Sequence, residues 1–275
     1  MRVIASALEL SRSNLIERRQ RRYFVRRRRL VNDGNATERI KQVVDVRPTY
    51  GYRRTTRLVN RALLADGGAR VNAKRVYRIM KAQGWLLARH TGKSTRTHEG
   101  VIITLRSNLR WCSDAFEIRC WSGERVQVAF SLDCCDREVM SYVATSGAIT
   151  GEMVRDLMAE SVERRFGADA FRTPHAVEWL SDNGPPYTAT ETRDFGAKIG
   201  LLVCTTPAYS PESNGMAESF VKTFKRDYVY VNELHDAASV LRQLAAWFED
   251  YNEVHPHKGL QMQSPREYRR ATTNA

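Results

Sequence analysis

The chain has 275 residues, 42% hydrophobic and 27% charged, which excludes a disordered, collagenous or fibrous protein and suggests one large domain or two ordinary ones. Its 44 Lys and Arg against 31 Asp and Glu give a net charge of +13. Residues 1–110 hold 27 basic and 7 acidic residues, a balance of +20, whereas residues 111–275 hold 17 and 24, a balance of −7. This division predicts a basic part that meets a polyanion, either nucleic acid or an anionic membrane surface, joined to an acidic body.

Other features of the sequence restrict where the protein acts. The longest stretches without a charged residue, 139–151 and 199–211, have 13 residues each, fewer than the roughly 18 that a membrane-spanning helix needs. The N-terminus lacks the uninterrupted apolar segment of a secretory signal. The five cysteines, an odd number without a CxxC pair, are expected to be reduced thiols. We therefore expect an intracellular protein with no membrane partner.

The first basic unit lies within residues 1–32. Ser11 can cap a helix that continues through Leu15 and Ile16 towards the arginine run 26–29. A helix, a short break and a basic helix are typical of the last two helices of a helix-turn-helix whose first helix lies upstream of Met1. A solvated basic helix explains the pattern equally well. Both interpretations of this basic helical segment, a partial helix-turn-helix or a solvated helix, remain open.

A second unit, residues 33–88, is predicted to contain three helices. The first begins near Thr37 and must end before Pro48, the second ends at the glycines 67–68, and the third is capped by Asn72. Three short helices with a basic last helix are typical of a helix-turn-helix whose third helix enters the major groove of DNA. A solvated basic face on a helical bundle is the alternative, and the charge of the N-terminal half favours DNA.

The third helix of this unit carries the basic face. Lys74, Arg78 and Lys81 recur at i, i+4 and i+7, with Arg75 beside them, so they share one side of the helix. Two further arginines directly follow the Tyr-Gly-Tyr segment, where the second helix is predicted to begin. The residues predicted to contact DNA in this unit are therefore Arg53, Arg54, Lys74, Arg75, Arg78 and Lys81.

From residue 110 the pattern changes from helical to extended. Residues 89–109 are polar, basic and rich in Thr and Ser, and are predicted to be a linker. Beyond them apolar residues alternate with polar ones, so Cys112, Asp114 and Phe116 share one face of a strand. Two more strands around a turn at 133–137, followed by alternating helices and strands, predict a mixed α/β layer fold.

Three carboxylates stand out in this acidic part. Asp114 lies in the apolar row of its strand, where an unpaired charge costs several kcal/mol to bury. Asp182 ends a later strand, at the edge where open α/β sheets bind ligands, and Glu218 lies near the start of a helix. Singly, Asp182 could form an ordinary turn, and Glu218 could form a surface pair with Lys222 worth about 0.3 kcal/mol. Together the three acids can converge on one point.

Converging carboxylates repel one another unless cations neutralise them. Two Mg²⁺ ions about 4 Å apart would do so and would align the attacking and leaving oxygens of a phosphodiester; Mn²⁺ is a possible substitute. Lys222 and Lys225 lie one and two turns after Glu218 and could hold the phosphates of the DNA strand. His255 and His257 could be considered a metal pair, but a loop at the end of a helix is the preferred interpretation.

The sequence resembles the DDE transposases with a retroviral-integrase-like, RNase H-like core, and most closely the OrfB-type transposases of the bacterial IS-three family. WCSD with Asp114, LSDNG with Asp182 and SPESNGMAESF with Glu218 match the three acidic motifs of that family. The 35 residues between Asp182 and Glu218 match its D-35-E spacing, and Lys225 falls at its basic position seven residues later. PTYGYRR with NAKRVYRIM resembles its helix-turn-helix, and YNEVHPHKGL with SPREY resembles its C-terminal signature.

This resemblance implies a fold, an activity and partners. The fold is α/β, with an RNase H-like mixed-sheet catalytic core at 110–254 preceded by the all-α helix-turn-helix region and followed by a C-terminal tail at 255–275. Asp114, Asp182 and Glu218 are the implied catalytic metal ligands for cleavage and strand transfer at insertion-sequence ends. The implied partners are double-stranded DNA (terminal repeats and target DNA), further copies of the chain on DNA and the product of an upstream reading frame, in the bacterial cytoplasm at the nucleoid.

Two other functions remain open at this stage. A non-catalytic regulator made from the truncated frame would use the same basic half to occupy element ends, but it would be expected to lack at least one of the three acids. An RNase H-like structure-specific nuclease would share the metal site, but it leaves the helix-turn-helix unexplained.

Overall fold

A computed structural model describes residues 33–88, 104–206 and 215–273 together with the helical residue Ile16. The chain divides into two compact units, residues 1–38 and 39–275, and the tertiary contacts described below all belong to the second. Apart from Ile16, the basic segment predicted for 1–32 lies outside the described residues, as does most of the linker predicted for 89–109. Within the described ranges, no helix is long and apolar enough to cross a lipid bilayer.

Three short helices form the N-terminal part of the described chain. They are α1 (Gly34–Val46), α2 (Tyr52–Ala65) and α3 (Ala73–Ala82). The prediction that α1 begins at Thr37 is wrong by three residues, because the Thr37 amide already donates to the Asp33 carbonyl at 2.7 Å, as in a helical turn. The other two helices begin and end close to the predicted positions.

The ends of α3 show why this segment folds as a short helix. The side chain of Asn72 accepts a hydrogen bond of 2.8 Å from the Lys74 amide and so caps the first turn. Gly84 has a φ of +74°, which favours glycine, and the following amide of Trp85 donates to the Met80 carbonyl at 2.8 Å. These two local signals fix the length of the predicted DNA-reading helix.

A five-stranded mixed sheet forms the centre of the C-terminal part. Its strands are β1 (Arg110–Arg119), β2 (Arg125–Asp133), β3 (Val139–Thr145), β4 (Val177–Ser181) and β5 (Leu201–Thr205), in the order β3-β2-β1-β4-β5. The pairs β1–β2 and β2–β3 are antiparallel, whereas β1–β4 and β4–β5 are parallel. The three consecutive strands and the later alternation with helices confirm the predicted mixed α/β architecture.

Helices cover both faces of this sheet. They are α4 (Gly151–Phe166), α5 (Pro185–Thr188), α6 (Thr190–Lys198), α7 (Gly215–Phe224), α8 (Ala237–Glu253) and α9 (Pro265–Thr273), with a π-helical turn at Lys225–Val229 directly after α7. One face packs Phe116 and Phe130 against Phe220 of α7 and Phe248 of α8, and the other packs Trp111 with α4. The predicted alternation along β1 therefore sorts its side chains into two separate hydrophobic clusters.

The segment predicted as a C-terminal tail, 255–275, contains the helix α9. α9 has few apolar residues, and ion pairs hold it to the sheet: Arg266 Nε and Arg269 Nη1 lie 2.9 Å and 2.6 Å from the carboxylate of Glu138. Glu138 is buried at the turn before β3. The chain therefore returns to the sheet after α8.

Candidate active site

One of the predicted acids lies on β1, and another directly follows the neighbouring strand β4. β1 and β4 pair in parallel, and the last matched pair is Cys112 with Leu180. Asp114 and Asp182 each follow two residues later, so they continue the same register at the point where β4 ends. Adjacent strands lie about 4.8 Å apart. The parallel pairing of β1 and β4 therefore brings the two carboxylates together at the C-terminal end of β4.

The third predicted acid comes from the helix that packs across β1. α7 buries Ala217, Phe220 and Phe224 against the sheet, and Glu218 lies beside that apolar face, half-exposed. Its Oε2 atom accepts a hydrogen bond from Lys222 Nζ at 3.1 Å. The i,i+4 pair that the sequence suggested is therefore formed, and it occupies one side of the Glu218 carboxylate.

The pKa of Asp114 reflects its burial and the charges of the other two acids. Burial, with smaller contributions from the nearby charges of Asp182 and Glu218, raises the pKa of Asp114 to about 6, although a 2.8 Å hydrogen bond from the Ala115 amide opposes the shift. Carboxylates raise one another's pKa only when they lie close together. Asp182 and Glu218 thus lie close enough to Asp114 for their charges to act on it, and we call these three residues the acidic cluster.

The donor set of this cluster suits a hard divalent cation. Carboxylate oxygens are the ligands that Mg²⁺ and Mn²⁺ prefer, and a bound cation would relieve the repulsion felt by Asp114. In the described part of the chain, no three His, Cys, Asp or Glu side chains lie close enough to form a ready-made metal cage. The Glu218 carboxylate instead accepts a hydrogen bond from Lys222. A cation that bound all three carboxylates would therefore displace Lys222 from Glu218.

A buried tyrosine, which the sequence analysis missed, backs the acidic cluster. Ser113, next to Asp114 on the central strand β1, donates a hydrogen bond of 3.2 Å from its Oγ atom to Tyr187 Oη. Burial raises the pKa of Tyr187, and the charges of Asp114 and Asp182 act in the same direction. Tyr187 lies on α5, which begins at two prolines directly after Asp182-Asn-Gly, and this short connection was the available signal.

The loop after β4 also forms the turn that the sequence suggested as an alternative. The Gly184 amide donates to Asp182 Oδ1 at 3.0 Å, and a side chain at Gly184 would press on that oxygen. One Asp182 oxygen thus stabilises the turn, which fixes the direction of the exposed carboxylate. The turn and a site role for Asp182 are compatible.

Comparison with known proteins agrees with this arrangement. Family models described as Integrase core domain match residues 105–211 and 202–265, and one described as HTH-like domain matches residues 32–93. The transposase InsD for insertion element IS2A/D/F/H/I/K of Escherichia coli is 49% identical over 247 residues, 89% of this chain and 81% of that protein. The transposase InsD for insertion element IS2-9 of Escherichia coli K12 has the same identity over 89% of this chain and 80% of its own. The chain belongs to the DDE transposases.

The fold agrees with a solved assembly as well. A chain of the simian T-cell lymphotropic virus intasome in complex with PP2A regulatory subunit B56 gamma is 15% identical and covers 84% of this chain and 73% of its own, with a TM-score of 0.50. At that identity the likeness shows the fold alone. The transposase therefore has an RNase H-like integrase core after an HTH-like domain; its family implies DNA binding, polynucleotidyl transferase activity and a function in transposition.

Most basic residues predicted to contact DNA lie on the surface of the transposase. Lys74, Arg78 and Lys81 are exposed on α3, and Arg75 is half-buried beside them. Arg53 is exposed on α2, where its Nε donates to Tyr52 Oη at 3.1 Å.

Near the acids, Lys225 Nζ lies 5.6 Å from the ring centre of Phe116, two residues beyond Asp114 on β1. Phe116 and Asp114 share one face of β1, so this ammonium group lies over the face of the strand that carries Asp114. Lys222 is also exposed, in the ion pair with Glu218.

Arg54 is placed differently from its neighbour Arg53. Its Nη1 atom lies 3.1 Å from Oδ2 of Asp227, in the π-helical turn after α7, and the Arg54 side chain is only 23% exposed. The structure thus gives Arg54 a partner inside the transposase, and we remove it from the DNA-contact set.

The two histidines of the C-terminal signature, His255 and His257, are both buried. Their rings lie 4.7 Å apart, and His255 Nδ1 is 2.7 Å from Tyr50 Oη. Burial lowers the pKa of His255 well below its usual value and that of His257 to about 3, so both are neutral near pH 7. They follow α8, as predicted for a loop at the end of a helix, and His255 contacts Tyr50 of the HTH-like domain.

The raised pKa of Asp114 predicts that Asp114→Asn makes the metal-free transposase more stable. A carboxyl whose pKa rises from 3.8 to about 6 on folding binds its proton more tightly in the folded state, so stability is lost as pH rises through that range. Two pKa units correspond to at most about 3 kcal/mol. We expect Asp114→Asn to raise the free energy of unfolding by about 2 kcal/mol at pH 8 and about half as much at pH 5, measured in urea with EDTA.

A matched variant controls for the change from Asp to Asn. Asp194 is an exposed carboxylate on α6, and Asp194→Asn should leave the free energy of unfolding unchanged at both pH values. If Asp114→Asn were less stable than the wild type at pH 8 without metal, the account of Asp114 as a buried carboxylate beside two other acids would be wrong.

Proposed function

We propose that this chain is an OrfB-type transposase of the IS-three family that cuts and joins DNA at insertion-sequence ends with Asp114, Asp182 and Glu218 as catalytic metal ligands. These three carboxylates would hold two Mg²⁺ ions, or Mn²⁺ in their place. The observation that supports the proposal is the position of Asp114 on β1, next to the end of β4, where burial and the charges of Asp182 and Glu218 together raise its pKa. A carboxylate held at such cost within a folded core is typical of a functional site.

In this proposal, the acidic and the basic residues of the site have different roles. Asp114 on β1 and Asp182 directly after β4 would hold the ions from one side, and Glu218 would hold them from the other side once its hydrogen bond with Lys222 opens. The bound ions supply an activated attacking oxygen and a stabilised leaving oxygen. Lys222, once released, and Lys225 then lie one and two helical turns from Glu218, where they hold the phosphates that flank the scissile bond.

The reaction has two steps at this single site. Water first attacks the phosphodiester at the element end, so the P–O bond to the 3′ oxygen breaks and a 3′-OH is released. That 3′-OH then attacks a phosphodiester of the target, forming one bond as another breaks. Both are in-line displacements at phosphorus, so Asp114, Asp182 and Glu218 serve each step without a covalent intermediate on the protein.

The HTH-like domain brings double-stranded DNA to the site. In the proposal Arg53, Lys74, Arg75, Arg78 and Lys81 contact the terminal repeats, and the core receives the target DNA. Two element ends must meet for transposition, so we propose a homo-oligomer on DNA, assisted by the upstream-frame product, at the bacterial nucleoid.

One assay separates this proposal from its alternatives. The purified full chain is incubated with Mg²⁺, a labelled pre-cut element end and target DNA, with and without the upstream-frame fusion. Labelled DNA joined to the target supports the transposase; hydrolysis without joining would indicate a structure-specific nuclease. Binding with neither reaction in both preparations would indicate a regulator and would overturn the proposal.

A further inference from the structure

The HTH-like domain is fastened to the catalytic core by polar contacts that no part of the proposed chemistry uses. They extend from the loop before α2 and from one side of α2 to three regions of the core: the π-helical turn after α7, the end of α8 with the following histidine, and α9. These docking contacts are Arg47 with Asp250, Tyr50 with His255 at 2.7 Å, Arg54 with Asp227 at 3.1 Å, and Arg57 and Arg61 with Glu267 at 3.3 Å and 2.7 Å.

The centre of this interface is buried. The side chain of Asp227 is 0% exposed, and Tyr50 and His255 are 1% and 0% exposed. Asp227 also accepts from its exposed neighbour Arg226, at 2.6 Å. Buried polar pairs of this kind add little stability compared with apolar packing, but they tolerate only one arrangement of their partners. This interface is therefore suited to fixing a geometry.

The position of Asp227 connects the interface to the acidic cluster. Asp227 lies nine residues after Glu218, and the π-helical turn continues directly from α7. At 1.5 Å per residue, this separation is about 14 Å along one helical rod. A π-helical turn is rare and is frequently found at functional sites. Here it carries Asp227 and Tyr228 as buried residues and leaves Lys225 beside Phe116.

We infer that Arg54 and Tyr50 are positioning residues, which hold the DNA-bound HTH-like domain at a fixed distance and angle from Asp114, Asp182 and Glu218 and so select the phosphodiester bond that is cut. The inference rests on the proposed function, because it assumes that these acids cut the DNA. α3 follows α2 in the same small domain. When contacts with the core fix the position of α2, they therefore also fix the position at which α3 binds the terminal repeat.

Adjacent arginines on α2 supply a matched pair for the test. Successive residues of a helix point about 100° apart. Arg53 is accordingly exposed on the DNA-binding domain, whereas Arg54 points into the core at Asp227. Replacing either arginine by glutamine removes the same charge, but only Arg54→Gln breaks a docking contact.

The experiment uses the full chain, Mg²⁺ and a duplex that carries a terminal repeat and its flanking DNA. Affinity is measured over a salt series, and the new 3′ ends are mapped at nucleotide resolution. Arg53→Gln should weaken binding severalfold and reduce the salt slope by about one, with cutting at the wild-type bond. Arg54→Gln should bind within about twofold of the wild type, but cutting at that bond should fall about tenfold, with new ends spread over neighbouring nucleotides.

Tyr50→Phe is the second variant, because it removes a single hydroxyl and keeps the ring. It should shift the same two readouts in the same direction by a smaller factor, and it decides the matter if thermal melting shows Arg54→Gln to be unfolded. Folded variants that cut at the wild-type bond at the wild-type rate would overturn the inference while leaving the proposed function intact. Arg54→Gln weakening binding as Arg53→Gln does would also overturn it. A wild type that cuts nowhere would overturn both.

Discussion

Asp114→Asn is expected to reduce strand cleavage and strand joining at least about a thousandfold while the affinity for terminal-repeat DNA stays within about twofold of the wild type. The amide keeps the shape of the side chain but loses the negative charge that a divalent ion requires. DNA affinity should persist because the contacts proposed for the terminal repeat lie on α2 and α3, in a different domain, and because Lys222 and Lys225 are unchanged in this variant. Cleavage and joining are measured on labelled ends, and affinity is measured on the same DNA in EDTA.

Two further variants sharpen this test. Glu218→Gln should act like Asp114→Asn, whereas Asp194→Asn, on the exposed surface of α6, should leave binding and joining unchanged. If Asp114→Asn remained folded but lost binding and joining in parallel, Asp114 would have no specific part in the chemistry.

Arg165→Met is expected to lower the free energy of unfolding by about 3–5 kcal/mol, the cost of leaving buried charges without their partner. Arg165 projects from α4 into the interior and is 1% exposed. It contacts Asp136 closely, and lies 3.1 Å from Asp133 and 2.6 Å from Glu138, all of them buried. Methionine fills much of the same volume, so the lost charge is the main change. Urea unfolding at pH 7 measures the effect.

The adjacent Arg164 provides the control. Its side chain is 59% exposed and pairs with Glu160 at 3.6 Å, a surface pair worth a few tenths of a kcal/mol. Arg164→Met should therefore change the free energy of unfolding by less than about 0.5 kcal/mol. If the Arg165→Met variant unfolded within about 1 kcal/mol of the wild type, the buried cluster would not organise the turn before β3.

The parts of the site that could be predicted from sequence depend on local patterns. The alternation along β1 identifies Asp114 as a charged residue in an apolar row. The i,i+4 spacing of Glu218 and Lys222 predicts the ion pair that the structure shows. The helix caps at Asn72 and Gly84 are local in the same way. Such signals require only a few neighbouring residues, so the fold class followed from the sequence.

The features that escaped the sequence analysis depend on distant partners. Arg53 and Arg54 are equivalent in sequence, and only Asp227, 173 positions away, determines that Arg54 faces the core. Tyr187 becomes part of the site only when α5 folds back beneath Ser113. The segment that forms α9 was predicted to be a tail. It has few apolar residues, and its attachment to Glu138 is made by arginines, a contact that no local pattern reveals.

The most direct test of the central claim is whether the wild-type chain joins a DNA 3′-OH to target DNA in a reaction that requires a divalent ion. Labelled element ends that terminate in 3′-OH or in 3′-deoxyribose are compared with Mg²⁺, with Mn²⁺ and with EDTA. The account predicts joined products only with the 3′-OH end and only with Mg²⁺ or Mn²⁺, in the wild type and not in Asp114→Asn. Joined products in EDTA, from the 3′-deoxy end or from Asp114→Asn would contradict it.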